Sequence, residues 1–190
     1  FGLMACTTSP QAADAEVCKA GVSNGELRHD GANRSYRLFI PPNAGDKPLP
    51  LVVAMHGGWG TGSNLAEQSG LDAAARTHGF AVVYPNGSWR SWNAGNCCGR
   101  AASSGVDDVG FISALKDKLA GESCIDGSRV YGTGFSNGAM LANRIACERP
   151  GVFRAIAPVA GGPMIDSCET NDPVPALLVV GRDDERIPWK

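Results

Sequence analysis

Long apolar runs are missing from this chain. None reaches the roughly 20 residues that a membrane-spanning helix needs. A surplus of one charge is missing too. The formal net charge is −2 and no basic stripe appears, so there is no electrostatic case for a nucleic-acid partner. Histidine is scarce, with only three, and no Cys-x-x-Cys pair or histidine close to the cysteines marks a metal site. Neither a metal nor an organic cofactor is expected. Internal repeats and low-complexity segments are also absent. What remains is ordinary for a globular protein, with 43% apolar and 19% charged residues among 190, enough for one domain with a real core.

Cysteine is the residue in surplus, with seven. Phe1-Gly2-Leu3-Met4-Ala5-Cys6 reads as the end of a bacterial lipoprotein signal, with cleavage before Cys6 and lipid on its sulfur. The charged start of such a signal is not in the sequence, so residues 1–6 are taken as its remnant. Residues 7–24 are small and polar and read as a tether, leaving 25–190 as the folded domain. Cys18, Cys97, Cys98, Cys124, Cys147 and Cys168 are then expected to be mostly oxidised, with many connectivities open. Cys97 and Cys98 are adjacent, and pairing them with each other is disfavoured by strain. The expected location is extracellular or periplasmic, with lipid on Cys6 as a membrane anchor.

Apolar runs that stop at glycine or proline predict strands over 35–40, 51–55, 81–84, 129–133, 155–159 and 176–180. Helices are predicted over 65–78, 109–119 and 139–148, the second capped by Asp107 or Asp108. Strands alternating with helices predict an α/β fold with a doubly wound, mostly parallel sheet. The irregular stretch 86–105 is rich in Gly, Asn, Trp and Cys, and a loop of that length is expected to be functional.

Gly134-Phe135-Ser136-Asn137-Gly138 lies between a predicted strand and a predicted helix. That is the context of a G-x-S-x-G nucleophile elbow, in which the serine stands on a strained turn and only glycine fits two positions away on either side. Ser136 is therefore the candidate nucleophile. The helix N-terminus behind it favours a developing oxyanion. In α/β-hydrolases one oxyanion N–H comes from the residue after the nucleophile, here Asn137. The other comes from a loop after an earlier strand, here His56-Gly57-Gly58-Trp59-Gly60, with Gly58 or Trp59 as donor. His56 precedes the serine, against the Ser–Asp–His order of that fold, and is read as supporting the loop. His29 and His78 read as surface residues. The acid is Asp183 or Asp184, just after the strand ending at Val180.

Taken together, several segments resemble the secreted esterases that include poly(3-hydroxybutyrate) depolymerases, feruloyl esterases and acetyl xylan esterases. They are Arg34-Ser35-Tyr36-Arg37-Leu38, the run from Pro50 to Gly57, and Trp92-Asn93-Ala94-Gly95 with Cys97-Cys98. Val106 to Phe111, Arg129-Val130-Tyr131, the elbow itself and Ala157 to Gly161 complete the set. The resemblance runs from about Leu27 to the end. Gly181-Arg182-Asp183-Asp184-Glu185-Arg186-Ile187-Pro188 matches the family's acid pattern with Arg182 in place of Thr, and that alignment selects Asp184.

The resemblance implies an α/β-hydrolase fold and a serine esterase working through an acyl-enzyme on a polyester or on a feruloyl or acetyl polysaccharide ester. It also implies a catalytic histidine beyond Lys190, so the final strand and helix are expected to be missing and this chain alone to be inactive. Trp59, Trp89 and Trp92 lie on loops expected to border the site, with the core as the alternative for each. Trp92 and Asn93 are candidate substrate-binding residues. A serine peptidase and a non-catalytic lipoprotein on the same fold remain as other readings.

Overall fold

A computed structural model describes residues 18–42, 45, 47–185 and 187. Cys6 and most of the expected tether lie outside them. The chain forms, in order, β1 (Gly21–His29), β2 (Ala32–Ile40), β3 (Leu49–Met55), α1 (Gly62–Ser69), α2 (Leu71–His78) and β4 (Ala81–Pro85). Then come a 3-10 turn (Ser88–Arg90), α3 (Gly99–Ser103), α4 (Asp108–Ala120), β5 (Ile125–Phe135), α5 (Asn137–Glu148) and β6 (Ala155–Val159).

The six strands make one sheet in the order β1-β2-β4-β3-β5-β6. The β3–β4, β3–β5 and β5–β6 pairs are parallel, and β1 and β2 join antiparallel at one edge. Side-chain alternation sends Leu49, Leu51, Val53 and Met55 to one face of β3, where Phe111, Ile112 and Leu115 of α4 and Leu141 and Ile145 of α5 bury them. Ala54, Val82 and Phe39 point the other way, onto Ala66 of α1 and Ala75 of α2. Helices on both faces of a largely parallel sheet are the doubly wound arrangement.

Local chemistry sets the helix ends. The Thr61 hydroxyl accepts from Asn64 N–H at the start of α1, and Asp107 accepts from Gly110 N–H at 2.8 Å at the start of α4. The single helix predicted over 65–78 is two, because Gly70 turns left-handed with φ 68° between them. Residues 21–24, expected in a tether, belong to β1.

The predicted strand 176–180 runs parallel beside β6 through bridges at Ala176 and Val179, with Leu177 N–H on Ile156 O at 2.9 Å. Its pairing is too sparse to make a regular strand. Leu177, Leu178 and Val179 remain exposed there.

Disulfides join Cys18 to Cys124, Cys147 to Cys168, and Cys97 to Cys98. The last pair corrects the expectation that these neighbours avoid each other. The chain folds back between Trp92 and Cys98, with Cys98 N–H on Trp92 O at 3.3 Å and Ala94 N–H on Cys97 O.

Candidate active site

Ser136 stands between β5 and α5 with φ 52° and ψ −116°, a backbone conformation that non-glycine residues seldom adopt. Two contacts hold it there. Its N–H donates to Val159 O at 2.9 Å, and its carbonyl accepts from Met140 N–H at 3.0 Å. The flanking glycines are required by close approach rather than by their dihedrals. A Cβ on Gly138 would strike the carbonyls of Met55 and His56, and one on Gly134 would strike the Gly138 backbone. The serine is half-buried and lines a cavity of about 460 Å³.

The opposite wall is the loop after β3. Gly57 lies against the elbow, where a Cβ would sit 3.5 Å from that of Ser136. Of the two proposed donors on this loop, Trp59 gives its N–H to Arg90 O at 2.7 Å. That removes it as the oxyanion donor and narrows the proposal to Gly58. Asn137 begins α5, in the turn whose N–H groups have no intrahelical acceptor.

His56 borders the cavity but both ring nitrogens are engaged. Nε2 accepts from Gly87 N–H at 2.9 Å, so Nδ1 carries the proton and donates to Gly57 O at 2.7 Å. Burial holds its pKa below the usual imidazole value; nearby Arg90 and Arg34 push the same way and the Gly57 carbonyl opposes them. This is a neutral structural imidazole. His29 pairs with Asp107 at 3.0 Å and His78 ends α2. The Ser136 hydroxyl has no hydrogen-bond partner among the described residues.

The two candidate substrate-binding residues are structural. Trp92 is fully buried, and its indole N–H donates to His56 O at 2.8 Å. Asn93 donates from its backbone to Asp108 at 2.7 Å and from its side chain to Val106 O, while its carbonyl accepts from Arg144. The side chain of Asn137 brackets the Trp92 backbone, accepting its N–H at 2.7 Å and donating to its carbonyl at 3.0 Å. Loop 86–98 is thus fastened directly to the residue after the nucleophile.

Sequence reasoning missed the second anchor of this loop. Arg34 and Asp108 form a buried ion pair at 2.6 Å, Arg34 also donates to Asn86 O, and its guanidinium lies 4.0 Å from the Phe111 ring. Burial raises the Asp108 pKa, and the Arg34 charge and the Asn93 N–H pull it back. The signal was present, since a second aspartate beside the helix cap has no capping role. Asn64, Leu65, Gln68 and Phe135 also line the cavity and were not singled out.

Asp184 follows the segment paired with β6, at the same carboxyl end of the sheet as Ser136. Its carboxylate accepts from Ile187 N–H at 2.9 Å. Asp183 is exposed in the preceding turn. Among the described residues no group of histidine, cysteine and carboxylates could hold a metal.

Known proteins resemble this chain in sequence and in fold. Feruloyl esterase C of Emericella nidulans is 31% identical over 176 residues, covering 88% of this chain and 60% of that protein. Poly(3-hydroxyalkanoate) depolymerase C of Paucimonas lemoignei is 34% identical over 166 residues, covering 85% of this chain and 37% of its relative. This chain therefore spans less than two thirds of the length of either. The solved acetyl xylan esterase from Aspergillus awamori superposes with a TM-score of 0.61 at 24% identity, over 77% of this chain and 58% of that one, which establishes a common fold of the α/β-hydrolase type. The model of the Esterase PHB depolymerase family matches residues 34–186, most of the sequence, and the chain belongs to that family.

Proposed function

We propose that the protein hydrolyses carboxylic esters, with Ser136 as nucleophile. The observation that carries this reading is the strained serine at a helix N-terminus, half-open to a cavity and facing a glycine loop. The Ser136 oxygen attacks the acyl carbon and passes its proton to a base. The carbonyl electrons move onto oxygen, which the N–H groups of Asn137 and Gly58 stabilise. The alcohol leaves with a proton, and water then releases the acid from the acyl-serine.

The engagement of His56 supports placing the base outside the described residues, with Asp184 orienting it. Relatives named for feruloyl esters and for polyhydroxyalkanoate favour ester over amide chemistry. Three disulfides support export to an oxidising compartment. Lipidation at Cys6 is part of the same reading.

The test is Ser136→Ala in the purified, folded protein completed through the histidine expected beyond Lys190. Turnover of a p-nitrophenyl ester should fall by several orders of magnitude, since such sites depend non-additively on their nucleophile. Retained turnover would remove Ser136 from the mechanism.

A further inference from the structure

The parallel ladder between β3 and β5 ends at Met55 and Gly134. Beyond it the two strands run into separate turns. Each turn carries one of the N–H groups assigned to the oxyanion, Gly58 after β3 and Asn137 after β5. Such a pair works only at a fixed separation, because the gain comes from dipoles already in place when charge develops. Neither turn sets that separation by itself.

Trp92 joins the two. Its indole N–H donates to His56 O at 2.8 Å, two residues before Gly58. Its backbone N–H donates to the Asn137 side-chain oxygen at 2.7 Å, and its carbonyl accepts from the Asn137 amide nitrogen at 3.0 Å. One residue thus makes three hydrogen bonds to the segments that carry the two donors. All three are dry, since Trp92 is fully buried and His56 and Asn137 are each 2% exposed. The carbonyl that the indole holds also seats the nucleophile helix, since a Cβ on Gly138 would lie 2.6 Å from His56 O.

Trp92 is itself fixed from outside the cavity. The next residue, Asn93, donates its N–H to Asp108 at 2.7 Å, and Asp108 is paired with Arg34 at 2.6 Å. The indole lies against the His56 ring, with centroids 4.9 Å apart, and that imidazole ties Gly57 O to Gly87 N–H. Tryptophan suits this place because its indole is an apolar plate with a donor and no acceptor. Phenylalanine would fill much of the space but leave His56 O without its partner.

We infer that Trp92 is a positioning residue for ester hydrolysis, the strut that sets the spacing of the Gly58 and Asn137 N–H groups around the oxyanion. This deepens the esterase reading and rests on Ser136 being the nucleophile and on those two groups being the donors. Trp92 acts through His56 and Asn137 and touches no substrate. Its contribution belongs to the tetrahedral state, where the oxygen carries charge, and not to substrate binding.

The experiment uses the protein completed through the histidine expected beyond Lys190. It compares Trp92→Phe, Asn137→Ala and the double variant with wild type. Leu119→Ala, which opens the core at the far end of α4, serves as the stability control. Three quantities are read: kcat/KM for p-nitrophenyl acetate, the Ki of an aryl trifluoromethyl ketone, and the Ki of the alcohol of the same shape. With the ketone, the Ser136 oxygen adds to the carbonyl carbon, the carbonyl electrons move onto oxygen, and the serine proton passes to the base. The alcohol fills the same space without forming an adduct.

In Trp92→Phe, kcat/KM should fall by about tenfold or more and the ketone Ki should rise by the same factor, while the alcohol Ki moves by less than about twofold. The double variant should be no more than about twofold worse than the poorer single variant, because the strut is broken once. Leu119→Ala should leave all three quantities within about twofold of wild type even where its unfolding midpoint is lower. If Trp92→Phe does not fold, Asn137→Ala carries the same ketone-to-alcohol comparison with the tryptophan still in the core. A Trp92→Phe protein that loses stability and keeps its ketone affinity would make Trp92 a packing residue and overturn the inference. Equal rises in the two Ki values, or losses that multiply in the double variant, would overturn it as well. An active wild type with any of these results sinks this inference alone; a wild type that hydrolyses no ester and forms no adduct sinks the esterase reading and the inference with it.

Discussion

A neutral imidazole lies beneath the glycine loop, and its protonation couples the loop to pH. Charging His56 requires Nε2 to gain a hydrogen where Gly87 N–H already points at it. Its folded pKa lies below the usual value of about 6.5, chiefly through burial. The unfolded chain therefore binds the extra proton first as pH falls. Stability from this group is fully present above about pH 6.5 and is lost as pH drops toward the folded value, at up to about 1.4 kcal/mol per pH unit. Urea midpoints between pH 7 and 5.5 should fall, and His56→Gln, which cannot titrate, should flatten that slope while being less stable at pH 7. An unaltered slope in His56→Gln would show that other groups carry the acid sensitivity. The order of histidine and serine in the chain argued for a supporting role of His56; its tautomer and its partners are matters of packing.

Among the elements, the loop from 86 to 98 departs most from what its composition suggested. Its Trp and Asn looked like substrate contacts, yet Trp92 is core and Asn93 is a junction of hydrogen bonds. Composition marks a loop as functional without saying which residues face inward, because burial there has no period to read. Asp108 and Arg34 show what such a loop depends on. With Asp108→Ala the guanidinium would be left buried without its counter-charge, and we expect a loss of about 3–5 kcal/mol in chemical unfolding. The double variant Arg34→Met/Asp108→Leu should be less damaged than Asp108→Ala alone. If the two are equally damaged, the pair matters for packing rather than charge.

Strands were the legible elements, since β3, β4 and β6 are apolar runs closed by glycine or proline and each lies where it was expected. β1 was not legible from periodicity because its inward face carries Gly21, Ser23 and Gly25 with only Leu27 apolar. Its cue was the two-residue turn Asp30-Gly31, both with positive φ, between the paired His29 and Ala32.

Over the whole molecule, the covalent links are unequal in reach. Cys18–Cys124 spans 106 positions and Cys147–Cys168 spans 21. If each acts by restricting the unfolded chain, removing the first pair as Cys18→Ser/Cys124→Ser should cost about 4–5 kcal/mol, and removing the second about 3. Thermal unfolding of the two double variants gives the order. A larger loss for the shorter link would point to native packing around Cys147 and Cys168 as the dominant effect. The doubly wound order of the sheet was readable from the alternation of strand and helix, whereas the pairing of the cysteines was not, since connectivity depends on which loops meet.

The longer link has a further consequence for a protein meeting proteases. It closes a ring around β1 to β4 and α1 to α4, a ring that contains the glycine loop, Trp59 and the fastened loop from 86 to 98. A single cut at any exposed turn inside that ring, such as Asp30-Gly31, opens it without releasing a fragment. The severed ends stay tethered through Cys18 and Cys124 to the strand that leads to Ser136, so the two walls of the cavity remain parts of one molecule after the backbone between them is broken.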